Sequence, residues 1–340
     1  MARLDKIDGK WINTDRPGGA VFFVSGGTSA LKGLGSSDGN LGTRPEEPLS
    51  TIQGGLDKCV SGRGDTVAIT PGSITITAAL TMTLDDVTLT SAQPSSPLEY
   101  GSVVVVDATA ATSMLTINAN NCEVNGLVFD DNVAAATADT GVIMISTANT
   151  GELVTGTVIR NCYLDMLGSD SDRDGICVGL TTDATDAAPH TLIEGTTILD
   201  CDQDAIVINV GSNHSAVRGC LIYDTANTTR FGVELLALQC QIQDNTIWTS
   251  TASGACVHNG IAAARALISG NKLAGFTTTT YGLKAIATAT QVTLGNWIGS
   301  GATAYVNDYT TDNTTPSSDA NISGFFAGTP GATALNVPSV

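Results

Sequence analysis

The chain has 340 residues, 42% of them hydrophobic but only 5% aromatic, so its core must be built from small aliphatic side chains. Its formal charge of −18 argues against nucleic acid and anionic membrane surfaces as partners. No apolar run reaches the ~18 residues of a transmembrane helix, and Met1–Lys10 lacks the apolar stretch of a secretory signal, so a soluble protein is expected.

Residues 1–20 read as a polar arm. Arg3, Lys6, Lys10 and Arg16 offset Asp5, Asp8 and Asp15, with Trp11 and Ile12 as an apolar anchor. A charge-balanced strap with one large aromatic suits docking to a partner, and Arg3, Lys6, Lys10, Trp11, Ile12 and Arg16 are its candidate contacts. Val21-Phe22-Phe23-Val24 then predicts a strand, and residues 26–48 a loop rich first in Gly and Ser. A short helix is predicted over Ile52–Val60, with Ile52, Leu56 and Val60 spaced by four and Ser50 with Gln53 fitting a capping box. Residues 65–91 alternate Val, Ile, Leu and Thr as strands do.

From Val124 to Ile298 the sequence repeats. The turn positions Gly126, Asn161, Gly195, Gly219, Asp244, Gly270 and Gly295 are 35, 34, 24, 25, 26 and 25 residues apart. Three residues after each stands Phe129, Leu164, Ile198, Ile222, Ile247, Leu273 or Ile298; two residues before stands Val124, Ile159, Ile193, Val217, Ile242, Ile268 or Thr293. Such a period marks a solenoid. Short β-branched runs without a helical stripe predict three strands per turn, each pairing with its counterpart one turn on. The column after the turn, Leu127, Cys162, Thr196, Cys220, Asn245, Asn271 and Asn296, predicts asparagine amides bonded up a ladder at the ~4.8 Å strand spacing. The fold class read here is all-β: a right-handed, single-stranded parallel β-helix of about 25 residues per rung over residues 21–300, with a short N-terminal capping helix and a C-terminal tail over 301–340. The eight cysteines form no CxxC pair and are expected to be buried, reduced thiols.

The run Asp38-Gly39, Gly42-Thr43, Pro48, Thr51-Ile52-Gln53, Asp57, Gly64-Asp65-Thr66 and Pro71-Gly72 resembles the N-terminal stretch of the pectin-lyase-like β-helix superfamily. The resemblance implies a helix covering the open end of the coil and a first rung built from the Gly-Asp-Thr segment. It is specific for fold: the superfamily includes lyases, hydrolases, phage tailspikes and virion decoration proteins.

Two groups of residues bear on chemistry. Asp174 and Asp204 open equivalent strands on adjacent rungs, as a glycosidase acid and base would. Asp202–Gly211 faintly resembles an acidic motif of polygalacturonases, although that family's Gly-His-Gly and Arg-x-Lys motifs have no counterpart here. The same aspartates also suit plain turn capping. Asp170, Asp172 and Asp174 form the first half of a calcium loop, with Thr181 where a bidentate Glu would close it; apart from that calcium alternative, no cofactor is expected. Ile143, Cys177, Val207 and Cys256 read as an outward apolar strip that a threefold association would bury.

The leading expectation is therefore a non-enzymatic structural virion protein. It would be a homotrimeric capsid decoration or spike protein on the outer surface of a bacteriophage particle, docked through the arm to the major capsid protein or another virion protein. The alternative is an extracellular or tailspike-borne enzyme that degrades a surface glycan through Asp174 and Asp204, with Tyr163, Tyr223, Phe231, Trp248 and Tyr281 available for stacking.

Overall fold

The computed structural model describes residues 4–7, 10–13, 18–25, 35–92, 103–107, 113–131, 140–146, 153–166, 173–180, 187–201, 203–223, 231–249, 254–261, 265–275, 281–285, 291–294, 296–300 and 309–311. From Thr66 onward the chain passes in turn through three parallel sheets, leaving one short strand in each. One coil shows the pattern: Leu192–Glu194 in the first sheet, Thr197–Leu199 in the second, Ile206–Ile208 in the third. The first sheet has ten strands, beginning with Val21–Val24, and the other two have nine. Tyr309–Thr311 pairs with Tyr281–Ala285, so the third sheet continues past the expected boundary at residue 300.

Registration follows the aliphatic columns. Val124, Ile159, Ile193, Val217, Ile242 and Ile268 stack in the first sheet. Phe129, Leu164, Ile198, Ile222, Ile247 and Leu273 stack in the second, and all twelve side chains are essentially inaccessible. Each contributes about 1.5–3 kcal/mol through burial. Because a coil touches only its neighbours, the core is a long file of small residues, as the low aromatic content requires.

The turn from the first to the second sheet is a single left-handed residue. Gly126, Asn161, Gly195, Gly219, Asp244 and Gly270 have φ of 70°, 51°, 57°, 60°, 56° and 67°, a conformation that favours Gly, Asn and Asp. The expected asparagine ladder follows directly. Asn245 Nδ2 donates to Asn271 Oδ1 and Asn271 Nδ2 to Asn296 Oδ1, both at 2.9 Å. Each amide also donates to a backbone carbonyl, of Val217, Ile242 or Ile268. In earlier coils the thiols of Cys162 and Cys220 fill the same place and donate to Val124 O and Ile193 O.

The N-terminal motif residues have structural work. Helix α1 spans Ile52–Leu56 and is shorter than predicted; Thr51, not Ser50, is its N-cap, accepting from Gly54 N. Gln53 does not complete a capping box. Its amide instead bonds Thr81 N and Thr81 O, pairing with the strand Leu80–Met82 as a neighbouring peptide would. Asp38 accepts from Ser50 N, Thr51 N and Thr51 Oγ1. Burial opposes the charge of Asp65, but hydrogen bonds from Arg63, Ala20 N and Val60 N outweigh it and hold the carboxyl below its usual range. In the arm, Leu4–Ile7 and Lys10–Asn13 form a separate antiparallel pair, with Lys6 opposite Trp11 and Asp5 opposite Ile12; Arg3 and Arg16 lie outside the described residues.

Candidate functional site

Asp174 and Asp204 do sit on adjacent coils, but they are 6% and 1% exposed and point into backbone. Asp174 Oδ1 accepts from Asp204 N at 3.1 Å, and Asp204 Oδ1 accepts from Phe231 N at 2.6 Å. Each carboxylate thus caps the start of the next coil's strand, which is the turn-capping role, and this contradicts an exposed acid–base pair here. Asp170 and Asp172 lie outside the described residues, and among the described residues no three acidic, His or Cys side chains converge as metal ligands.

The apolar strip also needs correction. Ile143 pairs with Ile176, and Met144 with Cys177; Cys177, Val207, Glu234 and His258 then follow in one column. Ile143 and Cys256 belong to the core. Cys177 and Val207 lie in the column that later carries Glu234 and His258, yet they are 0% and 3% exposed within the single chain. The four residues therefore offer no free face to a second copy. Ile143 pairs with Ile176 rather than with Cys177, and a one-residue shift in a strand exchanges inside for outside.

The outer face of the second sheet gathers a different set. The residue after each inward aliphatic of the Phe129 column faces outward, and these positions stack as Asp130, Asp165, Leu199, Tyr223, Trp248 and Ala274. On the other side of the column, Tyr163 precedes Leu164 on the same outward face. The Tyr223 and Trp248 rings lie 5.6 Å apart at 48°, and Trp248 is 38% exposed. Asp130 and Asp165 are half-buried on neighbouring coils. Burial raises the Asp130 carboxyl above its ordinary range, and the charge of Asp165 adds to the rise. Burial, with Asp165 and Asp200 nearby, likewise raises the Tyr163 hydroxyl.

One carboxyl biased toward its protonated form beside a second is the division that glycosidic acid–base chemistry needs. The two are register partners on neighbouring coils. Two coils on from Asp165, the Tyr223–Trp248 pair offers a ring surface of the kind that packs against sugar faces. Sequence reasoning singled out Tyr163, Tyr223 and Trp248 but missed Asp130 and Asp165. The signal was present: both follow the repeat's own inward column by one residue.

Of the other candidate aromatics, Phe231 stacks on His258 at 4.1 Å, and His258 Nδ1 lies 3.1 Å from Glu234 Oε1, all on the third sheet. The side chain of Tyr281 lies outside what the structure describes. All eight cysteines are free and buried, as expected, and burial pushes the thiols of Cys59, Cys162, Cys220 and Cys256 up to about 12.

Three solved structures are similar in fold to the chain. It is similar to the catalytic domain of Agl-KA, with 12% identity and a TM-score of 0.57 over 85% of this chain and 49% of that one. The chain is a parallel β-helix. The catalytic domain of a GH87 α-1,3-glucanase, determined in complex with tetrasaccharides, shows 12% identity and a TM-score of 0.53 over 73% of this β-helix and 43% of that chain. XylC in complex with xylose gives 11% and 0.53 over 83% and 70%. This β-helix spans just under half the length of the first two, and at these identities the likeness is one of fold. No protein-family model matches the sequence, and no curated protein matches it.

Proposed function

We propose that this β-helix engages a polysaccharide along the outer face of its second sheet and cleaves it there, with Asp130 as the proton donor and Asp165 as the second carboxyl of the pair. The observation that carries the reading is the shared outward face of Asp130, Asp165, Tyr163, Tyr223 and Trp248. The carbohydrate complexes among the structures of like fold support it. The test is a screen of neutral and acidic polysaccharides for binding and for release of reducing ends. On a responsive glycan, Asp130→Asn is expected to keep binding and to lose about 10²–10⁴-fold in cleavage rate, whereas Trp248→Ala is expected to weaken binding. No bound glycan, or cleavage indifferent to Asp130→Asn, overturns the reading.

A second reading is the structural virion protein, on the outer surface of a phage particle and docked through Lys6, Lys10, Trp11 and Ile12. It is favoured by the arm's own antiparallel pair, which belongs to none of the three coil sheets. In this reading the molecule is a homotrimer. Light scattering of the full chain, and cosedimentation with capsids before and after removal of residues 1–19, tests both parts. A monomer that ignores particles removes it.

A further inference from the structure

The turn from the third sheet back to the first also uses one left-handed residue per coil, and in two successive coils that residue is histidine. His190 and His214 have φ of 59° and 62°. Their backbone N–H groups donate into the next coil, to Asn213 O at 3.0 Å and Leu238 O at 3.1 Å, which fixes both turns. Both side chains are exposed, their ring centroids are 5.1 Å apart and their planes differ by 7°. Among the described residues neither imidazole makes a hydrogen bond or ion pair, so none of these residues occupies the ring nitrogens.

We propose that His190 and His214 form a two-histidine chelate for a borderline divalent transition metal: zinc, nickel or copper(II). Imidazole nitrogen suits these ions, whereas calcium and magnesium seek oxygen. Bonds of about 2.0–2.1 Å from one metal to two ring nitrogens require both rings to turn out of the stack so that one nitrogen of each points at a common site, which exposed side chains can do. Competing soft donors are out of reach, because every cysteine is buried in the folded protein. The Asn213 side-chain oxygen already accepts from Leu238 N, so the remaining coordination positions fall to water or to an incoming ligand. The site lies at the third-to-first-sheet turn, separate from the second-sheet face.

The test uses the untagged full chain, titrated with Zn²⁺, Ni²⁺ and Cu²⁺ by calorimetry, with electron paramagnetic resonance of the copper form. One equivalent is expected to bind, with nitrogen coupling from two imidazoles. Either His190→Asn or His214→Asn is expected to weaken binding by at least the ~10–100-fold that loss of an outer-shell partner costs. His258→Asn removes the third histidine of the chain and is expected to leave binding unchanged. Binding that survives His190→Asn or His214→Asn, that depends on His258, or that never rises above that of the His190→Asn/His214→Asn double variant overturns the assignment. Circular dichroism of each variant confirms that a loss is not one of folding.

Discussion

Two columns of turns run along this molecule in the same backbone conformation, and in the later coils they part company in residue type. At the turn into the second sheet the left-handed residues are Gly126, Asn161, Gly195, Gly219, Asp244 and Gly270; at the turn into the first sheet they are Asp86, Asn121, Gly156, His190, His214, Gln239 and Arg265. Both are held alike, by N–H donation to a carbonyl one coil on: Gly195 to Arg218 O and Asp244 to Ser269 O in one, Asn121 to Thr155 O and His214 to Leu238 O in the other. The conformation is therefore imposed by stacking in both columns. The first column leads straight into the buried amide ladder; an added Cβ at Gly270 would collide with Asp244 Oδ1, whereas at Gly219 it would meet nothing within 4 Å. The second tolerates His, Gln and Arg, side chains for which the left-handed region costs roughly 1–2 kcal/mol.

Substitutions can break this contrast, and the largest effect belongs to the ladder. Asn271→Leu removes an amide that donates to Ile242 O and Asn296 Oδ1 and accepts from Asn245 N and Asn245 Nδ2. Several buried partners are left unpaired at about 1–3 kcal/mol each, so a loss of roughly 3 kcal/mol or more in denaturant-derived stability is expected. A loss under about 1 kcal/mol would show that the ladder is not what holds these coils. Gly270→Ala comes next: at φ 67° its Cβ would collide with Asp244 Oδ1. A cost of about 1–3 kcal/mol is expected, read as a lower thermal midpoint. The smallest effect is Gln239→Gly, where relief of left-handed strain nearly offsets the unfolded-state entropy of glycine, about 0.5–1 kcal/mol. A change within about 1 kcal/mol is expected, and a destabilisation as large as that of Gly270→Ala would erase the difference between the columns.

The same contrast explains what could be read in advance. The first turn column was legible because Gly, Asn and Asp announce it, and its flanking aliphatics set the register of two sheets correctly. The asparagine ladder followed from position alone. The second turn column carries no shared residue type, and nothing in His190, Gln239 or Arg265 signals a turn. On the third sheet Ile143 falls one residue out of register with Cys177, and Cys177 and Val207 are buried although they share the column of Glu234 and His258, so an exposed strip was expected where the side chains are buried. Asp174 and Asp204 were placed correctly on adjacent coils, but a sequence does not show whether a carboxylate faces water or the next coil's N–H. Asp130 and Asp165 escaped notice because the inward column, not its neighbour, was being read.

The buried thiols have one more consequence. Cys122, Cys162, Cys177, Cys201, Cys220, Cys240 and Cys256 are spread along the stack, and those whose acidity shifts are pushed far above neutral pH. A thiol held that way reacts with an alkylating agent only when its own coil opens. The molecule thus carries a built-in ruler: the order in which its cysteines are labelled reads out, rung by rung, whether the stack peels from an end or breaks in the middle.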